Sequence, residues 1–144
     1  MEDGDLPELL SVAEEFWKDS GTGVDFEEGQ CRKSFETMQR FGFVFVSESE
    51  GVLTGFISCL EAPMLASSKT VCAESAWYVK PAYRATGAGL KLMKAAEAEA
   101  KARGCHILSM TYMETSMPKG VKTLYEKSGL ELQETTHRKL LWEQ

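Results

Sequence analysis

Apolar residues recur at helical spacing from the start of the chain. Leu6, Leu9, Leu10, Ala13, Phe16 and Trp17 fall mostly three or four apart and predict an amphipathic helix over 6–19. Ser20-Gly21-Thr22-Gly23 stops it. Asp25 offers a capping side chain for a second helix, on which Cys31, Phe35 and Met38 share a face. The period then changes. Gly42 to Glu48 reads as a strand, and Ser49-Glu50-Gly51 turns the chain into a second strand from Val52 to Leu60, making a β-hairpin. Residues 61–70 read as a loop containing Pro63, followed by a third strand from Val71 to Val79 that ends at Lys80-Pro81. An Ala- and Leu-rich helix follows from about Gly87 to Arg103, stopped by Gly104. His106 to Thr111 is a short strand, Pro118 to Ser128 a helix ending at Gly129, and 130–142 a closing strand or hairpin. The order α-α-β-β-β-α-β-α-β implies a single mixed α/β domain over 1–144. Its one central sheet, mixed but mostly antiparallel, is flanked by helices.

Composition narrows the classes of function. The 144 residues are 43% hydrophobic and 10% aromatic, enough for a real core. The net charge of −6 and a sequence pI near 5.0 argue against a general nucleic-acid binder, which needs a basic face for phosphates. No apolar run approaches the roughly 20 residues that span a bilayer, and the acidic first residues do not resemble a signal peptide. A cytoplasmic domain with no nucleic-acid or membrane partner is the expectation. Cys31, Cys59, Cys72 and Cys105 contain no CxxC pair, and neither His106 nor His137 completes a zinc spacing. Reduced, buried thiols and no metal are expected.

The candidate chemistry lies in Trp77-Tyr78-Val79-Lys80-Pro81-Ala82-Tyr83-Arg84-Ala85-Thr86-Gly87-Ala88-Gly89-Leu90, where a strand passes to a helix through an Arg-x-x-Gly-x-Gly loop. The first N–H groups of a helix lack intrahelical partners and carry partial positive charge, so they hold anions. Gly87 and Gly89 allow close approach to the backbone, and Arg84 adds formal charge. Two glycines at a tight turn also have a purely conformational reading. A P-loop spacing is missing, and a dinucleotide fingerprint would need glycine at position 92, which is Leu92.

With its strand lead-in, Arg84-Ala85-Thr86-Gly87-Ala88-Gly89 resembles the acyl-CoA signature, Gln/Arg-x-x-Gly-x-Gly/Ala, of the GNAT superfamily of N-acetyltransferases. A second block, Leu124-Tyr125-Glu126-Lys127-Ser128-Gly129-Leu130, is similar to that superfamily's Tyr-Glu-Lys-x-Gly-Phe helix end. The blocks lie in order with a helix and a strand between them, and the element order matches over residues 6–142. The resemblance implies acetyl-CoA as acyl donor, with its pyrophosphate on the amides of residues 84–90. Its pantetheine arm would run beside Trp77, Tyr78 and Val79, in a gap where strand 71–79 splays from 106–111. One departure stands out: the family's Asn seven residues before the tyrosine is here Pro118, and the chain contains no Asn.

Direct transfer to a primary amine imposes its own needs. An alkylamine is mostly protonated at neutral pH, with a pKa of about 10, so a base must take its proton. The oxyanion needs donors, for which a backbone N–H near Val79 is the candidate, and the departing thiolate benefits from a proton. Glu74, desolvated in an apolar strand, is the candidate base. Tyr125, by match to the family's helix tyrosine, is the candidate acid. Glu74 also has a solvent-facing reading, and Tyr125 a packing one. A covalent route through Cys72, with His106 as base, is a mechanistic rival less economical than two buried core residues. A non-catalytic acyl-CoA-binding or regulatory module is the alternative in another class of function.

Charge is unevenly placed. Residues 1–30 carry ten acids against one base, a net −9, whereas residues 80–103 carry six bases against two acids, a net +4. The basic segment is the one expected to meet an anionic donor. The acidic helices favour a cationic acceptor, such as a polyamine, an aminoglycoside-like amine or a lysine-bearing peptide; they equally suit a solvated, solubilising face. Monomer and homodimer are both compatible, the closing strand at 130–142 offering an edge.

Overall fold

The computed structural model describes residues 1–113 and 118–141. Helix α1 (Leu6–Asp19) and helix α2 (Glu28–Phe41) precede strands β1 (Gly42–Ser49), β2 (Val52–Pro63) and β3 (Thr70–Val79). A 3-10 helix (Pro81–Thr86) leads into α3 (Ala88–Ala102), followed by β4 (Ile107–Ser109) and α4 (Pro118–Lys127). The sheet order is β1-β2-β3-β4, antiparallel except for the parallel β3–β4 pair. No described helix is long and apolar enough to cross a membrane.

The helical periodicity holds. Leu9, Leu10, Val12 and Ala13 of α1 are buried with Phe35 of α2 against Val44, Leu53, Phe56 and Tyr78, forming the core on one face of the sheet. On the other face, Leu92, Ala96 and Ala100 of α3 cover Phe43, Ile57, Cys59, Cys72 and Val79. The four cysteines are free thiols, and Cys59 and Cys72 are fully buried.

Three expectations need correction. Asp25 is not at the cap position of α2: the helix begins three residues later, and Glu27 holds that position without a side-chain cap bond. The supposed loop 61–70 is partly strand, because β2 continues to Pro63, which pairs with Thr70 at the end of the ladder. Proline is tolerated at such a terminal position. Residues 130–141 form no strand and are nearly all exposed, with residue 142 outside the described range. β4, at the edge of the sheet, is only three residues long and offers little ladder to extend. An edge strand there therefore gives no ground for a dimer.

One irregularity positions the site. Ser58 pairs with Ala76 and Cys59 with Glu74, so Ser75 is an extra residue in β3, a β-bulge. A regular strand would keep Cys72, Glu74, Ala76 and Tyr78 on one face. The bulge changes parity. Cys72 and Glu74 lie on the α3 side, opposite Cys59, whereas Ala76 and Tyr78 join the α1–α2 core and Trp77 and Val79 join the α3 core.

Candidate functional site

β3 and β4 pair only from Val71–Ile107 to Ala73–Ser109. Beyond Ala73, the β4-facing edge of β3 has no ladder partner among the described residues. Peptide groups on that edge need other partners. Glu74 stands at the point of separation. Its Oε2 accepts the Thr111 N–H at 2.9 Å, replacing a ladder bond with a side chain. Tyr125, on α4, donates its hydroxyl to the Thr111 carbonyl at 2.7 Å. Both ends of one peptide residue are thus held by the two side chains with candidate acid–base roles.

Their environment shifts both groups. Burial raises the Glu74 carboxyl to about 7, against the smaller opposing effect of the Thr111 N–H bond. Burial raises the Tyr125 hydroxyl far above its ordinary range, and the Glu74 charge adds to the rise. Glu74 therefore changes protonation near neutrality, whereas Tyr125 keeps its proton. Trp77 stacks on Tyr125, with centroids 5.9 Å apart and 22° between planes, and Tyr112 lies 6.5 Å from Tyr125 on another side.

Below this centre, the turn into α3 is built as the motif requires. Gly87 occupies the cap position with φ +82°, a left-handed conformation costly for other residues. No side chain caps α3 and no acid occupies its first turn, so its leading amides meet neither a capping oxygen nor a repelling carboxylate. At Gly89 a Cβ would stand 3.3 Å from Trp77 Cζ2, so glycine there lets the helix approach the indole. Ala85 and Thr86 are exposed, while Ala88 and Leu90 are half-buried beside the two glycines. Thr86 Oγ1 donates to the Tyr83 carbonyl at 2.6 Å, tightening the turn.

Two expected site residues face elsewhere. Arg84 donates Nε to the Val79 carbonyl at 2.9 Å, reaches Asp19 Oδ2 at 3.6 Å and lies 5.4 Å over the Tyr78 ring. Its guanidinium binds the loop to β3 and α1. The Tyr78 side chain enters the α1–α2 core, where its hydroxyl donates to Asp19 Oδ2 at 2.9 Å. Burial, followed by that bond, pushes the phenol up to about 12. Asp19 and the Thr111 peptide are the partners that sequence reasoning missed; Asp19 was readable only as part of a general acidic excess.

Cys72 is buried beside Cys59, whose thiol is raised by their mutual hydrogen bond and by burial. His106 is exposed, and no hydrogen bond joins it to Cys72 among the described residues. The covalent arrangement thus lacks its base. A cleft of about 520 Å3 opens between the β1–β2 end and the first half of α3, lined by Phe45, Glu48, Tyr83, Thr86, Lys91 and Leu92 among others. It includes none of Glu74, Trp77 and Tyr125.

Comparison with known proteins gives a consistent result. The sequence matches the model of the acetyltransferase (GNAT) family over residues 7–130. Ribosomal-protein-alanine N-acetyltransferase from Brucella melitensis biovar Abortus 2308 superposes with a TM-score of 0.75 at 14% identity, covering 99% of this chain and 96% of that one. AAC(6')-Iy in complex with a bisubstrate analogue, CoA-S-monomethyl-acetylneamine, gives 0.72 at 16% identity, covering 100% and 94%. A transcriptional regulator from Bacillus halodurans C-125 gives 0.78 at 18% identity, covering 98% and 96%. At these identities the structures speak for the fold. No curated protein matches.

Proposed function

Since the chain belongs to the GNAT acetyltransferase family and is an acyl-CoA-dependent N-acetyltransferase, we propose that it moves the acetyl group of acetyl-CoA directly to a primary amine, with Glu74 as general base and Tyr125 as general acid. The observation that carries this reading is the convergence of Glu74 and Tyr125 on Thr111 where β3 and β4 separate. The leading amides of α3, from Gly87 to Leu90, hold the donor's pyrophosphate, and the unpaired edge of β3 from Glu74 to Val79 lies along its pantetheine arm. A backbone N–H near Val79 serves the oxyanion. Ala85, Thr86 and Ala88 shape the loop, and Arg84 keeps it in place through Val79 and Asp19.

The proton balance follows from the two environments. The acceptor ammonium gives one proton to the Glu74 carboxylate, a base matched to neutral pH. The freed amine nitrogen attacks the acyl carbon, the C–N bond forms and the C–S bond breaks. The leaving thiolate takes a proton from Tyr125, whose hydroxyl first turns from the Thr111 carbonyl it meets in the free chain. As the amide forms, its nitrogen releases a second proton, which restores Tyr125 directly or through solvent. Glu74 gives the first proton to solvent, so that one proton is released in each turnover.

An amine acceptor accords with neighbours whose names specify a ribosomal protein's alanine or an aminoglycoside. A cationic acceptor draws support from the acidic residues 1–30, α1 among them. That support is reduced by ion pairs of Glu14 with Lys18, Glu15 with Lys80 and Glu28 with Arg32. A turnover screen of acetyl-CoA against polyamines, aminoglycosides, amino acids and peptides, read by free thiol, tests the reading. Acetyl-CoA binding without thiol release from any amine would overturn it in favour of a binding module.

A further inference from the structure

The unabsorbed feature of the site is a hydrogen-bond donor. Trp77 Nε1 is buried and has no partner, the one such side-chain nitrogen or oxygen among the described residues. A buried indole N–H normally finds an acceptor, because water has been removed from it without replacement. Its surroundings are specific. The indole edge containing Cζ2 and Cε2, to which Nε1 is bonded, faces Gly89 in the first turn of α3. The ring also stacks on Tyr125. The donor therefore belongs to the wall between the anion-binding turn and the Glu74–Tyr125 centre. A phenylalanine could stack on Tyr125 and pack on Gly89 without leaving a donor unused.

We infer that Trp77 donates its indole N–H to an oxygen acceptor on the pantetheine arm of the acyl-CoA, so that this side chain reads the arm itself. The inference rests on the acyl-CoA reading above, and goes beyond it by assigning a side-chain contact to a stretch otherwise lined by backbone. It makes the arm, in addition to the phosphates, a source of affinity. The nucleotide half of CoA leaves the N–H unsatisfied.

Nitrogen-15 NMR of the three tryptophan indoles tests this directly. Trp17 is an internal control, because its Nε1 already donates to the Val24 carbonyl at 2.6 Å. Acetyl-CoA should move the Trp77 indole proton downfield and slow its exchange while Trp17 stays in place. The adenosine bisphosphate half of CoA should move the amides of Gly87 to Leu90 and leave Trp77 unchanged. By calorimetry, Trp77→Phe should weaken acetyl-CoA roughly tenfold, or about 1.4 kcal/mol, with the bisphosphate affected less than about twofold. The wild-type titration decides the matter even if the variant folds poorly. Loop amides that respond to acetyl-CoA beside an unmoved Trp77 indole overturn the inference alone, as does an indole moved equally by the bisphosphate. Acetyl-CoA that moves neither overturns the acyl-CoA reading and the inference together.

Discussion

Replacing Glu74 by glutamine separates its chemistry from its architecture. The amide retains an oxygen for the Thr111 N–H, now met at 2.9 Å, but cannot accept the substrate proton or become charged. Burial raises the carboxyl from an ordinary 4.5 to about 7. Below pH 4.5 Glu74 is largely protonated in folded and unfolded chains alike, and ionisation costs nothing. Between 4.5 and about 7 the unfolded chain releases the proton and the folded chain keeps it, so stability falls as pH rises; above that range the loss is complete. At roughly 1.4 kcal/mol per pH unit, the interval from 4.5 to about 7 amounts to about 3 kcal/mol. Glu74→Gln should therefore gain about 3 kcal/mol relative to wild type between about pH 4.5 and about pH 8, read from urea midpoints. In a domain of this size that is roughly 6–12 °C in Tm. Turnover should drop about 100- to 10,000-fold, the usual contribution of a positioned base. A stability gap independent of pH would show a solvated carboxyl and remove the physical ground for calling it the base.

Tyr125→Phe removes the 2.7 Å bond to the Thr111 carbonyl; turnover should drop at least about tenfold, with acetyl-CoA affinity by calorimetry nearly unchanged. Asp19→Asn takes a charged acceptor from Tyr78, so its phenol should titrate below the present value of about 12, though burial keeps it above 10.0, as phenolate absorbance will show. Arg103 reaches Glu61 and Glu99, each at 2.6 Å, and Gly42 O at 3.1 Å, and lies 5.2 Å over the Phe43 ring. Arg103→Ala should accordingly cost about 1–2 kcal/mol in urea unfolding, with acetyl-CoA affinity retained.

Helix α1 was legible because its apolar positions keep a helical period up to Ser20, and α3 because Ala and Leu dominate it and Gly104 ends it. Both motif blocks were legible for a similar reason: Gly87 and Gly129 are required by left-handed backbone angles and Gly89 by a close approach, constraints that act within a few residues. The meeting of Glu74 with Thr111, 37 residues later, depends on where two strands part, and no local pattern encodes it. Arg84 illustrates the same limit. Its charge and position suggested a phosphate ligand, yet Asp19, 65 positions earlier, claims the guanidinium through the packing of α1. The loose alternation of residues 130–141 did not make a strand, since strand formation needs a partner that local pattern does not specify.

Ser75 acts on β3 as an inserted letter acts on a reading frame. Its side chain is exposed and joins neither core, yet every residue after it points to the face opposite the one that simple alternation assigns. Removing that single serine would leave both motif blocks and nearly the whole composition intact. It would also restore the frame: Glu74 and Ala76 would follow one another opposite Cys59 and Ser58, and Trp77 and Tyr78 would keep the faces they now occupy. What would be lost is the local bend and added twist of a bulge, placed just beyond the last β3–β4 pair at Ala73. Ser75 therefore sets where the strand turns away from its neighbour, and contributes position rather than chemistry.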